Sequence, residues 1–137
     1  MSPLICLLID DDPDDREIFA LALEEVDKSC RLVTAKSGGE AIELLKNDPT
    51  FVPNFIFLDL NMPLMDGKEC LSELKKIDHI NRTPIIIFST SSYDKDVEDT
   101  KRLGASYFLT KPSSIKALTN FLIEIFKNKG LPYFLKA

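Results

Sequence analysis

The stretch FIFLDLNMPLMDG, residues 55–67, joins a short apolar run to an aspartate and a turn. Its first four residues, Phe55–Leu58, are all apolar, which is typical of a strand covered on both faces in a parallel sheet. Asp59 follows the run directly, and Pro63 and Gly67 mark the loop and the start of the next element. The stretch therefore predicts a buried strand that carries a carboxylate at its carboxyl end.

Similar apolar runs recur on both sides of this stretch, and longer amphipathic segments separate them. The runs predict five strands, at Leu4–Ile9, Leu32–Ala35, Phe55–Leu58, Ile85–Phe88 and Tyr107–Leu109. The segments between and after them predict five helices, at residues 13–27, 39–46, 67–77, 93–103 and 113–128. This alternation predicts a doubly wound α/β sandwich, with helices on both faces of a parallel sheet.

The composition narrows the range of functions. The 137 residues are 45% hydrophobic, which is enough for one domain with a buried core. Lys and Arg number 17 against 22 Asp and Glu, with no basic cluster, so we expect no direct binding of nucleic acid. The apolar runs are far below the roughly 20 residues that span a bilayer, and the N-terminus lacks a secretory signal, so we expect no membrane association. Three cysteines without a CxxC pair predict reduced thiols in a cytoplasmic protein.

Polar residues follow four of the five predicted strands. They are Asp10, Asp11 and Asp12 after the first strand, Asp59 after the third, Ser89 after the fourth and Lys111 after the fifth. Functional groups of doubly wound sheets collect at the carboxyl ends of the strands. Clustered carboxylates repel one another unless a cation such as Mg²⁺ neutralises them. Asp59 can also attack phosphorus, and Lys111 and Ser89 can then contact the phosphoryl oxygens.

Four segments carry a family resemblance: LLIDDDP, FIFLDLNMPLMDG, PIIIFSTSS and ASYFLTKP. In this order and spacing they resemble the receiver domain of two-component response regulators, in particular the chemotaxis-type and phytochrome-partner-type single-domain regulators. The resemblance implies a flavodoxin-like (βα)5 fold with a five-stranded parallel sheet in the order 2-1-3-4-5. It also implies a receiver domain at residues 1–128, a short C-terminal tail at residues 129–137, and no output domain.

The resemblance implies roles for seven residues. They are the phosphoacceptor Asp59 with Lys111 and Ser89 beside it, the Mg²⁺ ligands Asp10, Asp11, Asp59 and Asn61 (through its backbone carbonyl), and the switch residues Ser89 and Phe108. The family pattern thus implies a phosphoacceptor switch with self-phosphorylation and autodephosphorylation only, and not an enzyme acting on other substrates.

The same resemblance implies protein partners. A sensor histidine kinase or a histidine phosphotransfer protein would supply the phosphoryl group. A downstream protein target would bind the face built by the fourth helix, the fifth strand and the fifth helix. The chain's only histidine, His79, lies in a polar stretch and is interpreted as a surface residue.

Two alternative functions stay open at this point, and so does the placement of the C-terminal tail. In a haloacid-dehalogenase-type phosphohydrolase, Asp10 and Asp12 would form the Asp-x-Asp pair, but the glycine and the Ser or Thr expected after that pair are absent. In a pseudo-receiver, the domain would bind partners without being phosphorylated, although such modules usually lack one of the key residues present here. The apolar tail GLPYFLKA, residues 130–137, could be a frayed end, or it could pack onto the domain or onto a second subunit in a homodimer.

Overall fold

A computed structural model describes residues 3–136 of the chain, which form a parallel sheet with helices on both faces. The strands are β1 (Ile5–Ile9), β2 (Arg31–Ala35), β3 (Phe55–Leu58), β4 (Ile85–Ser89), β5 (Tyr107–Thr110) and β6 (Phe134–Leu135). The helices are α1 (Pro13–Val26), α2 (Gly38–Asn47), α3 (Gly67–Leu74), α4 (Asp94–Arg102) and α5 (Ile115–Lys127). The ends of the predicted domain and tail, residues 1–2 and 137, lie outside the described residues.

The strands lie in the order β2-β1-β3-β4-β5-β6, and every neighbouring pair is parallel. The order of the first five strands is the predicted one, but the prediction of five strands is wrong, because the sheet formed by residues 3–136 has six. The sixth strand comes from the tail: Phe134 pairs with Phe108 and Leu135 with Leu109 of β5. Without this pairing β5 would leave the backbone groups of an edge strand open. The tail therefore packs onto the domain.

Side chains of the strands alternate between two apolar layers, as the pleat of a β-strand requires. In β1, for example, Cys6 and Leu8 face one layer while Leu7 and Ile9 face the other. The first layer contains a cluster of aromatic rings, in which Phe19 of α1 lies 4.8 Å from Phe57, ring centroid to ring centroid. The sheet is therefore covered on both faces. Within residues 3–136, no helix is long and apolar enough to cross a membrane.

Capping side chains fix where the helices beside the carboxyl edge of the sheet begin. The side chain of Asp12 accepts backbone N–H groups of Asp14 and Asp15 at the start of α1, and Asp66 accepts that of Glu69 at the start of α3. Such caps satisfy donors that the first turn of a helix leaves free. The α1 and α3 caps thus hold the loops that follow β1 and β3, where the sequence places its acidic residues.

Candidate functional site

Three carboxylates meet at the carboxyl edge of β1 and β3. Oxygen atoms of Asp10, Asp11 and Asp59 all lie within 4.8 Å of one another. The parallel register brings them together: the backbone N–H of Asp59 donates to the Ile9 carbonyl at 3.0 Å, which continues the ladder between the two strands. Asp10 is fully buried and Asp59 is 5% exposed, whereas Asp11 is exposed. The fold thus holds two of these three acidic groups away from water.

Lys111, directly after β5, supplies a positive charge to this cluster. Its Nζ lies 2.8 Å from Asp10 Oδ2, 2.7 Å from Asp15 Oδ2 and 3.7 Å from Asp59 Oδ2. The lysine side chain is 10% exposed. Its backbone N–H donates to the Ser89 carbonyl at 2.7 Å, which fixes the end of β5 against β4. We call Asp10, Asp11, Asp59 and Lys111 the acidic site.

One ammonium group does not balance the negative charge of the acidic site. Burial raises the pKa of Asp59 above its ordinary value; the Lys111 charge and the Asn61 backbone N–H oppose this, and the nearby Asp10 and Asp11 add to it. Burial by itself would lower the pKa of Lys111, but hydrogen bonds to Asp10 and Asp15 raise it above its ordinary value. A further cation would therefore stabilise the ionised carboxylates. The donor set, made of carboxylate oxygens, fits a hard divalent cation.

The other residues singled out from the sequence lie around the acidic site at different distances. The hydroxyl of Ser89 is 3.3 Å from the Ser91 Oγ, and within residues 3–136 no hydrogen bond joins it to Asp59. Asn61 donates its backbone N–H to Asp59 Oδ1 at 3.2 Å, and its side chain is exposed. Phe108 is fully buried in the layer that faces α4, and its ring centroid lies 5.7 Å from that of Phe134. The structure thus brings the four members of the acidic site together, with Ser89 and Asn61 beside them.

Gly67 controls the close approach of α3 to the end of β3. A Cβ atom at this position would lie 2.4 Å from the Cα of Leu60 and 2.7 Å from the carbonyl oxygen of Asp59. Both neighbours are backbone atoms that cannot move aside cheaply. The glycine at this spacing is therefore a steric requirement of the loop that carries Asp59.

Two residues of the first turn of α1 belong to the surroundings of the acidic site and were missed in the sequence. Asp15 contacts Lys111, and Arg16 donates from Nη1 to the Asp10 carbonyl at 2.8 Å. The predicted helix at residues 13–27 begins where α1 begins, but helical spacing alone did not tell which first-turn side chain faces the lysine. That direction depends on how α1 packs against the sheet.

The parallel sheet and the acidic site at its carboxyl edge define a flavodoxin-like α/β domain with a carboxylate cluster between its strand ends that fits a divalent cation. The chain belongs to the response regulator receiver domain family, whose model matches residues 6–123. It is therefore a receiver-domain response regulator of the kind that two-component systems use.

Individual relatives agree with this assignment. Response regulator Rcp1 of Synechocystis is 30% identical over 120 residues, which cover 85% of this chain and 82% of Rcp1. The crystal structure of the Mn²⁺-bound form of Rcp1 superposes with a TM-score of 0.79 at 28% identity, covering 96% of this chain and 99% of that one. The phosphorylated cyanobacterial phytochrome response regulator RcpA gives a TM-score of 0.83 at 27% identity with the same coverage. The resemblance seen in the sequence is confirmed.

Proposed function

We propose that this chain is a response regulator receiver that accepts a phosphoryl group on Asp59 in a Mg²⁺-dependent reaction. The observation that carries the proposal is the acidic site itself. A buried carboxylate, Asp59, lies at the carboxyl edge beside two further carboxylates and one buried ammonium. Each charge that phosphoryl transfer creates would find a partner there.

The donor of the phosphoryl group would be a phosphohistidine on a sensor histidine kinase or a histidine phosphotransfer protein. A carboxylate oxygen of Asp59 forms a bond to phosphorus while the bond from phosphorus to the histidine nitrogen breaks. The electron pair of that bond stays with the imidazole, which takes up a proton. The product is an aspartyl phosphate, and later attack by water returns Asp59 and inorganic phosphate. Beyond this self-phosphorylation and autodephosphorylation we propose no enzymatic activity.

Mg²⁺ would be held by carboxylate oxygens of Asp10, Asp11 and Asp59 and by the backbone carbonyl of Asn61, and it would neutralise charge on the phosphoryl oxygens. Support for a divalent cation comes from the oxygen donor set and from the relative Rcp1, which has been crystallised in a Mn²⁺-bound form. Lys111 would bind a phosphoryl oxygen through its ammonium, and the Ser89 hydroxyl would donate to another.

The signal would be a change in the face formed by α4, β5 and α5, which a downstream protein target reads. Movement of Ser89 toward the phosphoryl group would alter the packing around Phe108, and so bias an equilibrium between two conformations. Phe108 is fully buried in this structure, so a switch that turns the ring from an exposed to a buried position would not start from this conformation. Residues 133–135, which include β6, would take part instead, since the Phe108 backbone N–H donates to the Tyr133 carbonyl at 2.8 Å.

A phosphohydrolase centred on Asp10 is less well supported. Both oxygens of the Asp10 carboxylate are engaged, Oδ2 by Lys111 and Oδ1 by the backbone N–H of Asp12 at 3.0 Å. The residue is also fully buried, which leaves little room for an external substrate.

The proposal is tested by incubating the protein with Mg²⁺ and acetyl phosphate and measuring its intact mass. We expect a gain of one phosphoryl group that requires Mg²⁺, disappears in Asp59→Asn and persists in the matched surface variant Asp78→Asn, because Asp78 is exposed and precedes β4, on the side of the sheet opposite the carboxyl edge. Beryllofluoride, a mimic of the phosphoryl group, should shift backbone amide resonances around Ser89 and Phe108.

Other outcomes would point to the rival classes. Phosphoryl transfer to Asp10, or turnover of phosphate monoesters, would identify a phosphohydrolase. If neither acetyl phosphate nor beryllofluoride changes the wild-type protein, the domain is an unphosphorylated binding module.

A further inference from the structure

The ammonium group of Lys111 is shared unequally among three carboxylates. Its two short contacts are with Asp15 at 2.7 Å and Asp10 at 2.8 Å, both within hydrogen-bond distance. Asp59 Oδ2, at 3.7 Å, is beyond that distance. The proposed phosphoacceptor is thus the weakest of the three partners of the lysine.

Asp15 reaches the lysine because of the way α1 begins. The Asp12 cap and Pro13 fix the first turn, and Asp15 then faces the acidic site while its neighbour Asp14 is exposed. The Asp15 side chain is 28% exposed, so this ion pair is only partly shielded from water. Asp10, in contrast, is fully buried and tied to the Asp12 backbone. Of the two short contacts, the one with Asp15 is therefore the easier to release.

Phosphorylation would change this balance at the lysine. Anionic phosphoryl oxygens on Asp59 attract the ammonium, and a charge-assisted hydrogen bond needs a separation of about 2.8 Å. The ammonium lies 3.7 Å from Asp59 Oδ2 and 2.7 Å from Asp15 Oδ2. A stronger attraction toward a group on Asp59 therefore competes with the contact that holds the ammonium beside Asp15.

We infer that Asp15 is a positioning residue that holds the Lys111 ammonium on the α1 side of the acidic site, in competition with the phosphoryl group at Asp59. The inference rests on the proposed function and adds a regulatory element to it. Asp15 disfavours the phosphorylated state relative to the resting state. Its loss should therefore make the site more receptive to a phosphoryl group.

The test measures the apparent affinity for beryllofluoride at saturating Mg²⁺, by titration followed with amide resonances. Asp15→Asn should bind beryllofluoride about fivefold more tightly than the wild type, in line with the loss of one partly exposed competing ion pair. Asp14→Asn is the matched control. It removes the same charge one residue away from Asp15, and within residues 3–136 the Asp14 side chain forms no ion pair. Its affinity should stay close to that of the wild type.

Two further readouts separate positioning from a merely structural role. The ¹⁵N resonance of the Lys111 ammonium should move when beryllofluoride binds to the wild type, and in Asp15→Asn it should already lie partway along that movement before any ligand is added. Asp15→Glu, which keeps a carboxylate, should restore most of the wild-type affinity. Thermal unfolding of each variant checks that the fold is retained.

The outcomes distinguish this inference from the proposed function. If the wild type takes up the phosphoryl group but Asp15→Asn behaves like Asp14→Asn, the inference is overturned and the proposed function stands. If Asp15→Asn binds beryllofluoride more weakly, Asp15 delivers the lysine to the phosphoryl group, and the inference is again wrong. If the wild type binds neither beryllofluoride nor a phosphoryl group, the proposed function fails and the inference fails with it.

Discussion

The acidic site and the β6 segment, which we define as Tyr133–Leu135, are built on opposite physical principles. The acidic site keeps like charges close together in a buried place and needs a cation to balance them. The β6 segment adds backbone pairing and apolar packing to the exposed edge of β5, with Leu135 buried. The first arrangement opposes folding, and the second favours it. The comparison teaches that the stability contributed by the β6 segment can be altered without altering the chemistry of the acidic site.

The largest loss of stability is expected when the acidic site loses the positive charge of Lys111. Lys111→Met leaves the buried Asp10 and Asp59 without a countercharge, and breaking a buried ion pair in this way costs about 3 kcal/mol. Denaturant unfolding at neutral pH measures this loss. Mg²⁺ should restore part of it, because it would supply positive charge to the same carboxylates.

The matched control is Lys116→Met, at an exposed lysine on α5. Its free energy of unfolding should stay within about 0.5 kcal/mol of the wild-type value. A Lys111→Met variant as stable as the wild type, with or without Mg²⁺, would mean that the carboxylates of the acidic site are not held ionised by the lysine.

A somewhat smaller loss of stability is expected for a variant of the β6 segment, and phosphoryl uptake at the acidic site should be retained. Leu135→Ala removes a buried side chain from the apolar layer that contains Phe19 and Phe57, which costs about 2 kcal/mol. Leu64→Ala, at a fully exposed leucine, should change stability little. Phosphoryl uptake by Leu135→Ala, measured by intact mass, should equal that of the wild type. Loss of uptake in the folded variant would contradict the separation of the two regions.

The two regions also differ in how far the sequence predicts them. Asp10, Asp59 and Lys111 follow strands at fixed spacing, and parallel strands that end at one edge bring such residues together whatever the details of packing. Their grouping could therefore be predicted from the order of strands and polar residues alone. The roles of Ser89 and Phe108 are a different matter, because they concern a second conformation, and they stay predictions.

The β6 segment could not be placed from the sequence. The tail is apolar, but a short run of three apolar residues fits a frayed end, a docked strand or an interface equally well, and the choice depends on the free edge of β5. Asp15 was missed for a related reason, since the rotation of α1 about its axis decides which first-turn acid meets Lys111. Contacts between residues far apart in the chain determine both the position of the β6 segment and the orientation of Asp15, and the local sequence pattern does not contain this information.

A hydroxyl pair connects the β6 segment to α4, and its loss should have a smaller effect than that of Leu135. The Thr100 hydroxyl donates to the Asp96 carbonyl at 2.8 Å, so at 2.7 Å it accepts from the hydroxyl of Tyr133. Tyr133→Phe leaves only an acceptor unsatisfied, which costs about 1 kcal/mol. Thermal unfolding measures it, with Tyr93→Phe at an exposed tyrosine as the control. Equal losses in the two variants would show that this hydrogen bond does not hold the segment.

The smallest effect is expected at Asp99, which precedes Thr100 in α4 and ties that helix to α3. Its carboxylate lies 3.0 Å from Lys68 Nζ and 2.7 Å from Arg102 Nη2. Hydrogen bonds from Lys68 and then Lys95 lower the pKa of Asp99 to about 2. Because the folded pKa lies below the unfolded value of about 4, this carboxylate stabilises the fold above pH ~4, and the contribution is lost as the pH falls toward 2.

Asp99→Asn should therefore lower the melting temperature at neutral pH, and the difference from the wild type should shrink as the pH falls toward 2. Glu98→Gln, at an exposed neighbour on the same helix, should show no comparable trend. A difference that persists undiminished in acid would show that Asp99 supports α4 by packing and not by charge. The contact between α3 and α4 would then be apolar, and α4 would be held in place by packing, as the β6 segment is.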